Sequence, residues 1–126
     1  ACVARTSEFR SLGIDAEPNQ PLPEDVFDLI ASDDERERLA VLQAQVGVCA
    51  IDRVLFSVKE AVYKAWYPLE RQWLGFDDVS VSVAHDGTFA ARLVDPGRRR
   101  SPRTPFVFSG RWLTTGDHIL VATTVR

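Results

Sequence analysis

Lysine is nearly missing from this chain. Of its 15 basic residues only Lys59 and Lys64 are lysine, and arginine supplies all the others. Methionine is missing altogether and the first residue is Ala1, which raises the expectation that the sequence is part of a longer protein. A basic excess is missing too: 18 acidic residues outnumber the basic ones and the net charge is -3. That balance excludes a general nucleic-acid binder, which would carry a basic stripe. No apolar run approaches the ~18 residues of a membrane-spanning helix, so no membrane is expected among the partners. The two cysteines, Cys2 and Cys49, form no CxxC pair and no zinc set with His85 and His118. They read as two reduced thiols in a cytoplasmic protein.

What remains is an ordinary globular composition. The chain has 126 residues and is 45% hydrophobic, enough for one domain with its own core. Ala1 to Arg5 reads as the tail of a strand, and Arg10 to Asp15 as a strand that Asp15-Ala16-Glu17-Pro18 leaves. Pro18, Pro21 and Pro23 keep the next stretch irregular. Glu24 to Ile30 has helical spacing after Pro23. Ser32-Asp33-Asp34-Glu35 is a capping box that opens a second helix to about Gln45. A long helix is predicted from about Asp52 to Tyr67, with Pro68 just beyond it. Then the period changes to two at Val79, Val81 and Val83. Asp86-Gly87 and Thr115-Gly116-Asp117 punctuate two hairpins, separated by a polar loop from Asp95 to Pro105. The predicted fold class is α+β, with helices packed on one face of a small, mostly antiparallel sheet.

Asp15 and Glu17 lie two apart at a strand end, so both carboxylates share a face. Glu60 and Lys64 lie four apart on the long helix and share one of its faces. Lys59 is rotated about a quarter turn from Glu60. If strand and helix pack together, Asp15, Glu17 and Glu60 converge. Three hard oxygen donors suit Mg²⁺, which keeps waters and bridges phosphates. Lys64 would then face those phosphates as a point charge. Taken singly, each feature has a plainer reading: a solvated strand exit, or a surface helix pair worth ~0.2–0.5 kcal/mol. The lysine bias favours function, because a site that needs a compact ammonium resists replacement by arginine.

Leu12-Gly13-Ile14-Asp15-Ala16-Glu17, followed by Phe56-Ser57-Val58-Lys59-Glu60-Ala61-Val62-Tyr63-Lys64, resembles the signature motifs of 4′-phosphopantetheinyl transferases. Those motifs read (I/V)G(I/V)D and (F/W)xxKE(A/S)xxK. Ala65-Trp66-Tyr67-Pro68-Leu69 and Trp73-Leu74-Gly75-Phe76-Asp77-Asp78 extend the likeness toward the Sfp-type class, in its EntD-like branch. The resemblance covers Leu12 to Val83 well and the last strands loosely. It implies that Asp15, Glu17 and Glu60 bind Mg²⁺, that Lys59 and Lys64 contact the phosphates of coenzyme A, and that Glu60 and Lys64 are catalytic. The implied reaction moves phosphopantetheine from coenzyme A to a serine of an acyl or peptidyl carrier protein and releases 3′,5′-adenosine bisphosphate. Glu60 would take the serine proton, directly or through water.

Sfp-type enzymes join two similar halves, with coenzyme A between them, and residues 1–126 resemble the second, metal-binding half. The Ser-x-Thr-His element of the first half is not in this sequence. An N-terminal half-domain, in the same or a separate chain, is therefore an expected partner. Two alternatives stay open: a complete AcpS-type enzyme whose site forms between identical subunits, and a non-catalytic domain that binds a carrier protein. Arg98-Arg99-Arg100 with Arg103 reads as a solvated loop, the other reading being a dock for a phosphate or an acidic carrier. Trp66, Trp73 and Trp112 read as core or half-interface residues rather than ligand stackers.

Overall fold

A computed structural model describes residues 1–47 and 49–126. Strand β1 (Ser11–Pro18) is followed by three helices, α1 (Glu24–Ile30), α2 (Asp33–Val46) and α3 (Ile51–Glu70). A short 3-10 turn (Phe76–Asp78) then leads into β2 (Val79–Val83), β3 (Thr88–Leu93), β4 (Val107–Thr114) and β5 (His118–Val125). The strands form one sheet in the order β1-β5-β4-β3-β2, every neighbour antiparallel. The first strand thus pairs with the last, which closes the chain and brings the Asp15 strand to a sheet edge.

The expected α+β layout is the observed one. The alternation of β5 shows why: Ile119, Val121, Thr123 and Val125 are buried, while the residues between them are exposed. The buried face packs under α3, whose Val54, Leu55, Val58, Val62 and Trp66 are fully buried with Phe108 and Leu93. Each such side chain contributes roughly 1.5–3 kcal/mol of burial.

Several local expectations are corrected. Residues Ala1 to Arg5 join no strand; the first ladder-like contact is Arg10 N donating to Val125 O. The strand does not end at Asp15 but continues to Pro18, because Ala16 and Glu17 pair with Leu120 and Ile119. Pro68 lies inside α3 rather than beyond it. The N–H that proline lacks is lost in the last turn only, where few bonds remain to break. Arg71 closes the helix in a left-handed conformation, its N–H donating to Tyr67 O at 2.8 Å. The capping box at Ser32 forms in both directions.

Glycine at position 13 is what lets β1 lie flush on α3. A Cβ there would stand 1.9 Å from the Ala61 carbonyl oxygen. The two elements then run antiparallel in step. Arg53 meets Glu17, Ser57 meets Asp15, Ala61 meets Gly13, and Ser11 Oγ donates to Ala65 O at 2.7 Å. Four helical residues rise about 6 Å and two strand residues about 6.7 Å. The two periods therefore stay matched along the whole seam.

Candidate functional site

The upper end of this seam gathers the charged residues. Asp15 points from β1 toward α3 and is 8% exposed. Both its oxygens are used: Ser57 Oγ donates to Oδ2 at 2.8 Å, and Lys64 Nζ to Oδ1 at 2.7 Å. Lys64 also donates to the Ile14 carbonyl at 3.1 Å, while its side chain remains 48% exposed. Lys64 thus reaches across to the strand instead of pairing along its helix. One strand step on, Glu17 stands 3.5 Å from Arg53. Arg53 is anchored in turn on the carbonyls of Gln20 and Pro21.

Asp15, Glu17 and Glu60 are close enough to feel one another. Burial pushes the Glu60 carboxyl above its ordinary range, and the Asp15 charge adds to this, with Lys64 partly offsetting it. Burial likewise pushes Glu17 up; Asp15 and Glu60 add to it, and Arg53 opposes it. Glu17 and Glu60, both raised by burial and by the Asp15 charge, are carboxylates that a cation would relieve. Their chemistry fits a hard divalent ion with oxygen ligands. Among the described residues, however, no three His, Cys, Asp or Glu side chains stand, as placed, close enough to hold a metal. Asp15 is committed to Lys64 and Ser57, so binding an ion would require side chains to rotate.

Lys59, expected beside the phosphates, has a different environment. Its side chain is 3% exposed, and its three ammonium protons go to Ile30 O, Glu35 Oε1 and Phe76 O at 2.7, 2.8 and 2.6 Å. Glu35, 1% exposed, completes the hub by accepting from Ser32 N and Val81 N. Burial pulls the Lys59 pKa down and Glu35 pulls it back up. A tetrahedral ammonium can satisfy three acceptors from three directions, which a planar guanidinium cannot do in the same space. This accounts for lysine at position 59 without a ligand.

Two cavities flank Glu60 and Asp15. One, about 230 Å³, is lined by Lys59, Glu60, Tyr63, Trp73, Leu74 and Phe76. Of the three tryptophans read as core or half-interface residues, Trp66 and Trp112 are in the core and Trp73 is 72% exposed. Its ring meets Tyr63 edge-on with centroids 5.4 Å apart. The other cavity, about 520 Å³, lies on the sheet face away from the helices, with Ile14, Ala16, Leu113, Leu120 and Ala122 beside Asp15 and Lys64.

Ser57, Arg53 and Glu35 were not singled out from the sequence. A signal was present for the first two. Arg53, Ser57, Glu60 and Lys64 recur at helical spacing and form a polar stripe along α3. For Glu35, the capping box gives the carboxylate a complete local role in sequence, and its contacts with Lys59 and Val81 arise only in the fold.

Residues 11–116 match the family model of the 4′-phosphopantetheinyl transferase superfamily. Over 97% of its length the chain is 41% identical to the 4′-phosphopantetheinyl transferase Npt of Nocardia iowensis. It is 48% identical over 96% to Svp of Streptomyces mobaraensis, and 37% identical over 97% to PptT of Mycobacterium tuberculosis. The matches take in 58%, 49% and 55% of those three proteins, so the chain spans about half the length of the curated relatives it matches.

Proposed function

The chain belongs to the 4′-phosphopantetheinyl transferase superfamily, and from that premise we propose that it supplies the acidic half of a transferase active site. The reaction is attack of a carrier-protein serine on the β-phosphorus of coenzyme A, with 3′,5′-adenosine bisphosphate leaving. The observation that supports this reading is the seam that sets Asp15 of the first motif against Ser57 and Lys64 of the second, at 2.8 and 2.7 Å.

Asp15, Glu17 and Glu60 would hold Mg²⁺. When bound, the ion supplies positive charge against the phosphate oxygens, whose charge grows during transfer. Lys64, half exposed at the rim, is placed to exchange Asp15 for an incoming phosphate. Glu60 is the proton acceptor for the serine hydroxyl. Its raised pKa makes it a stronger base than an ordinary carboxylate. Lys59 serves from within, holding α3 and the Phe76 turn in place, and leaves phosphate contact to Lys64.

The slot between Glu60 and Trp73 opens beside the reacting centre, and its largely apolar wall suits the neutral pantetheine arm. The apolar cleft on the open sheet face reaches Asp15 and Lys64 from the other side. A complementary half-domain covering that face would complete the coenzyme A site. The length of the relatives, about twice this chain, supports that arrangement.

The test is transfer of a fluorescent pantetheine label from a coenzyme A conjugate to an acyl carrier protein, with the full polypeptide and Mg²⁺. Labelling that disappears with chelator and in Glu60→Gln is the expected result. Calorimetric binding of the carrier protein without any labelling would instead favour a non-catalytic domain.

A further inference from the structure

The Asp95 to Pro105 loop is solvated at Arg99 and Arg103, as its charges predict, but it is tied down at Arg98 and Thr104. Glu70 accepts from the Ser101 N–H and the Thr104 hydroxyl, which pins the loop to the end of α3. Arg98 then reaches back over the segment that follows that helix. One terminal nitrogen stands 3.0 Å from Asp78 Oδ2 and the other donates to the Trp73 carbonyl. The guanidinium lies 5.4 Å over the Trp66 ring, in cation–π contact. Its Nε is, among the described residues, the buried side-chain polar atom without a hydrogen-bond partner. The side chain gives up that bond to make the other three contacts, so those contacts fix where it lies.

The segment it holds is the wall of the slot beside Glu60. Trp66 Nε1 donates to Gln72 O at 2.9 Å, Gly75 N donates to Asp78 Oδ2 at 2.7 Å, and Lys59 takes the Phe76 carbonyl. The Trp73 and Phe76 side chains between these anchors face the slot. Two anchors come from outside the segment and outside α3: the Val94 N–H, which donates to Asp78 O at 2.9 Å at the far end, and Arg98, whose removal leaves the Trp73 carbonyl without its donor among the described residues.

We propose that Arg98 is a positioning residue that clamps residues 73–78 against α3 and so sets the fit of the slot that receives the pantetheine arm. The role of the slot rests on the proposed transferase reading; the clamp itself does not. A guanidinium is required because only a planar fork can meet the Asp78 carboxylate and the Trp73 carbonyl while stacking on Trp66.

The experiment compares Arg98→Ala, Arg98→Lys and Asp78→Asn with the parent in the full polypeptide, by hydrogen exchange and by transfer kinetics. In Arg98→Ala the amides of residues 73–78 exchange at least roughly ten-fold faster, while those of β1 and β5 keep the parent rate. Arg98→Lys gives a smaller acceleration at the same amides, and Asp78→Asn adds little once Arg98 is gone. In turnover, KM for coenzyme A rises roughly five-fold or more in Arg98→Ala while kcat changes less than about two-fold. Unchanged exchange at residues 73–78, or acceleration spread evenly over the domain, overturns the clamp. A fall in kcat at constant KM overturns its link to the slot. If the parent transfers no pantetheine, the functional reading fails, and the exchange result alone decides the clamp.

Discussion

Lys64 Nζ donates to Asp15 Oδ1 at 2.7 Å, across the seam between α3 and β1, although Glu60 stands one turn away on its own helix. The choice follows from geometry. Gly13 lets the strand approach α3 closely enough for Asp15 to come within hydrogen-bond distance of the ammonium. The Ile14 carbonyl adds a second acceptor on the strand side. The pair links the two sequence motifs and, among the described residues, leaves Glu60 without its own ion pair.

Lys64→Arg is expected to lower kcat for pantetheine transfer at least roughly ten-fold, since a bulky fork replaces a point charge between Asp15 and the phosphate. Thermal stability should change little, because a partly exposed pair of this kind contributes at most about 1 kcal/mol. Parent-like turnover in Lys64→Arg would remove the catalytic role assigned to the ammonium.

The raised carboxylates carry a pH signature. Glu60 and Glu17 bind protons more tightly folded than unfolded, so each costs stability as pH rises above its ordinary value near 4.5. Glu60→Gln should therefore melt higher than the parent at pH 7. The advantage should vanish below the ordinary carboxylate range, where both forms are neutral. Mg²⁺ should raise the parent's melting point more than the variant's. An advantage that persisted at pH 3 would assign the effect to packing rather than charge.

Gly13→Ala places a methyl against the Ala61 carbonyl oxygen. Strand and helix must separate, at a cost of roughly 1–3 kcal/mol. Urea denaturation measures that loss. Transfer should fall more steeply than stability, because Asp15 retreats from Ser57 and Lys64. A stable and fully active variant would show that the close approach is dispensable.

The Glu35–Lys59 pair is buried on both sides. Removing one partner leaves an uncompensated charge, and Lys59→Met or Glu35→Gln should each cost roughly 3–5 kcal/mol. The double variant should cost clearly less than the two losses together, which a double-mutant cycle reads directly. Additive losses would mean that the two side chains act independently.

The sequence by itself determined more of this site than of its surroundings. Capping at Ser32, the helical spacing through α3 and the period of two in β2 placed the elements within a few residues. The motif pair then named Asp15, Glu17, Glu60 and Lys64. Local signals suffice for such features, since caps and periodicity act over a few residues. They misplaced the end of β1, where pairing with β5 overrides the turn chemistry of Pro18. They also misplaced the end of α3, which runs through Pro68.

Which side chains meet across elements was decided by tertiary structure alone. Nothing near Lys59 in sequence announces that Ile30, Glu35 and Phe76 will consume its protons. Nothing in Arg98-Arg99-Arg100 distinguishes the one arginine that lies over Trp66. Both outcomes depend on contacts 17 or more residues apart. A residue type states what a side chain can bind, and only the packing of β1, α3 and the 95–105 loop states what it finds within reach.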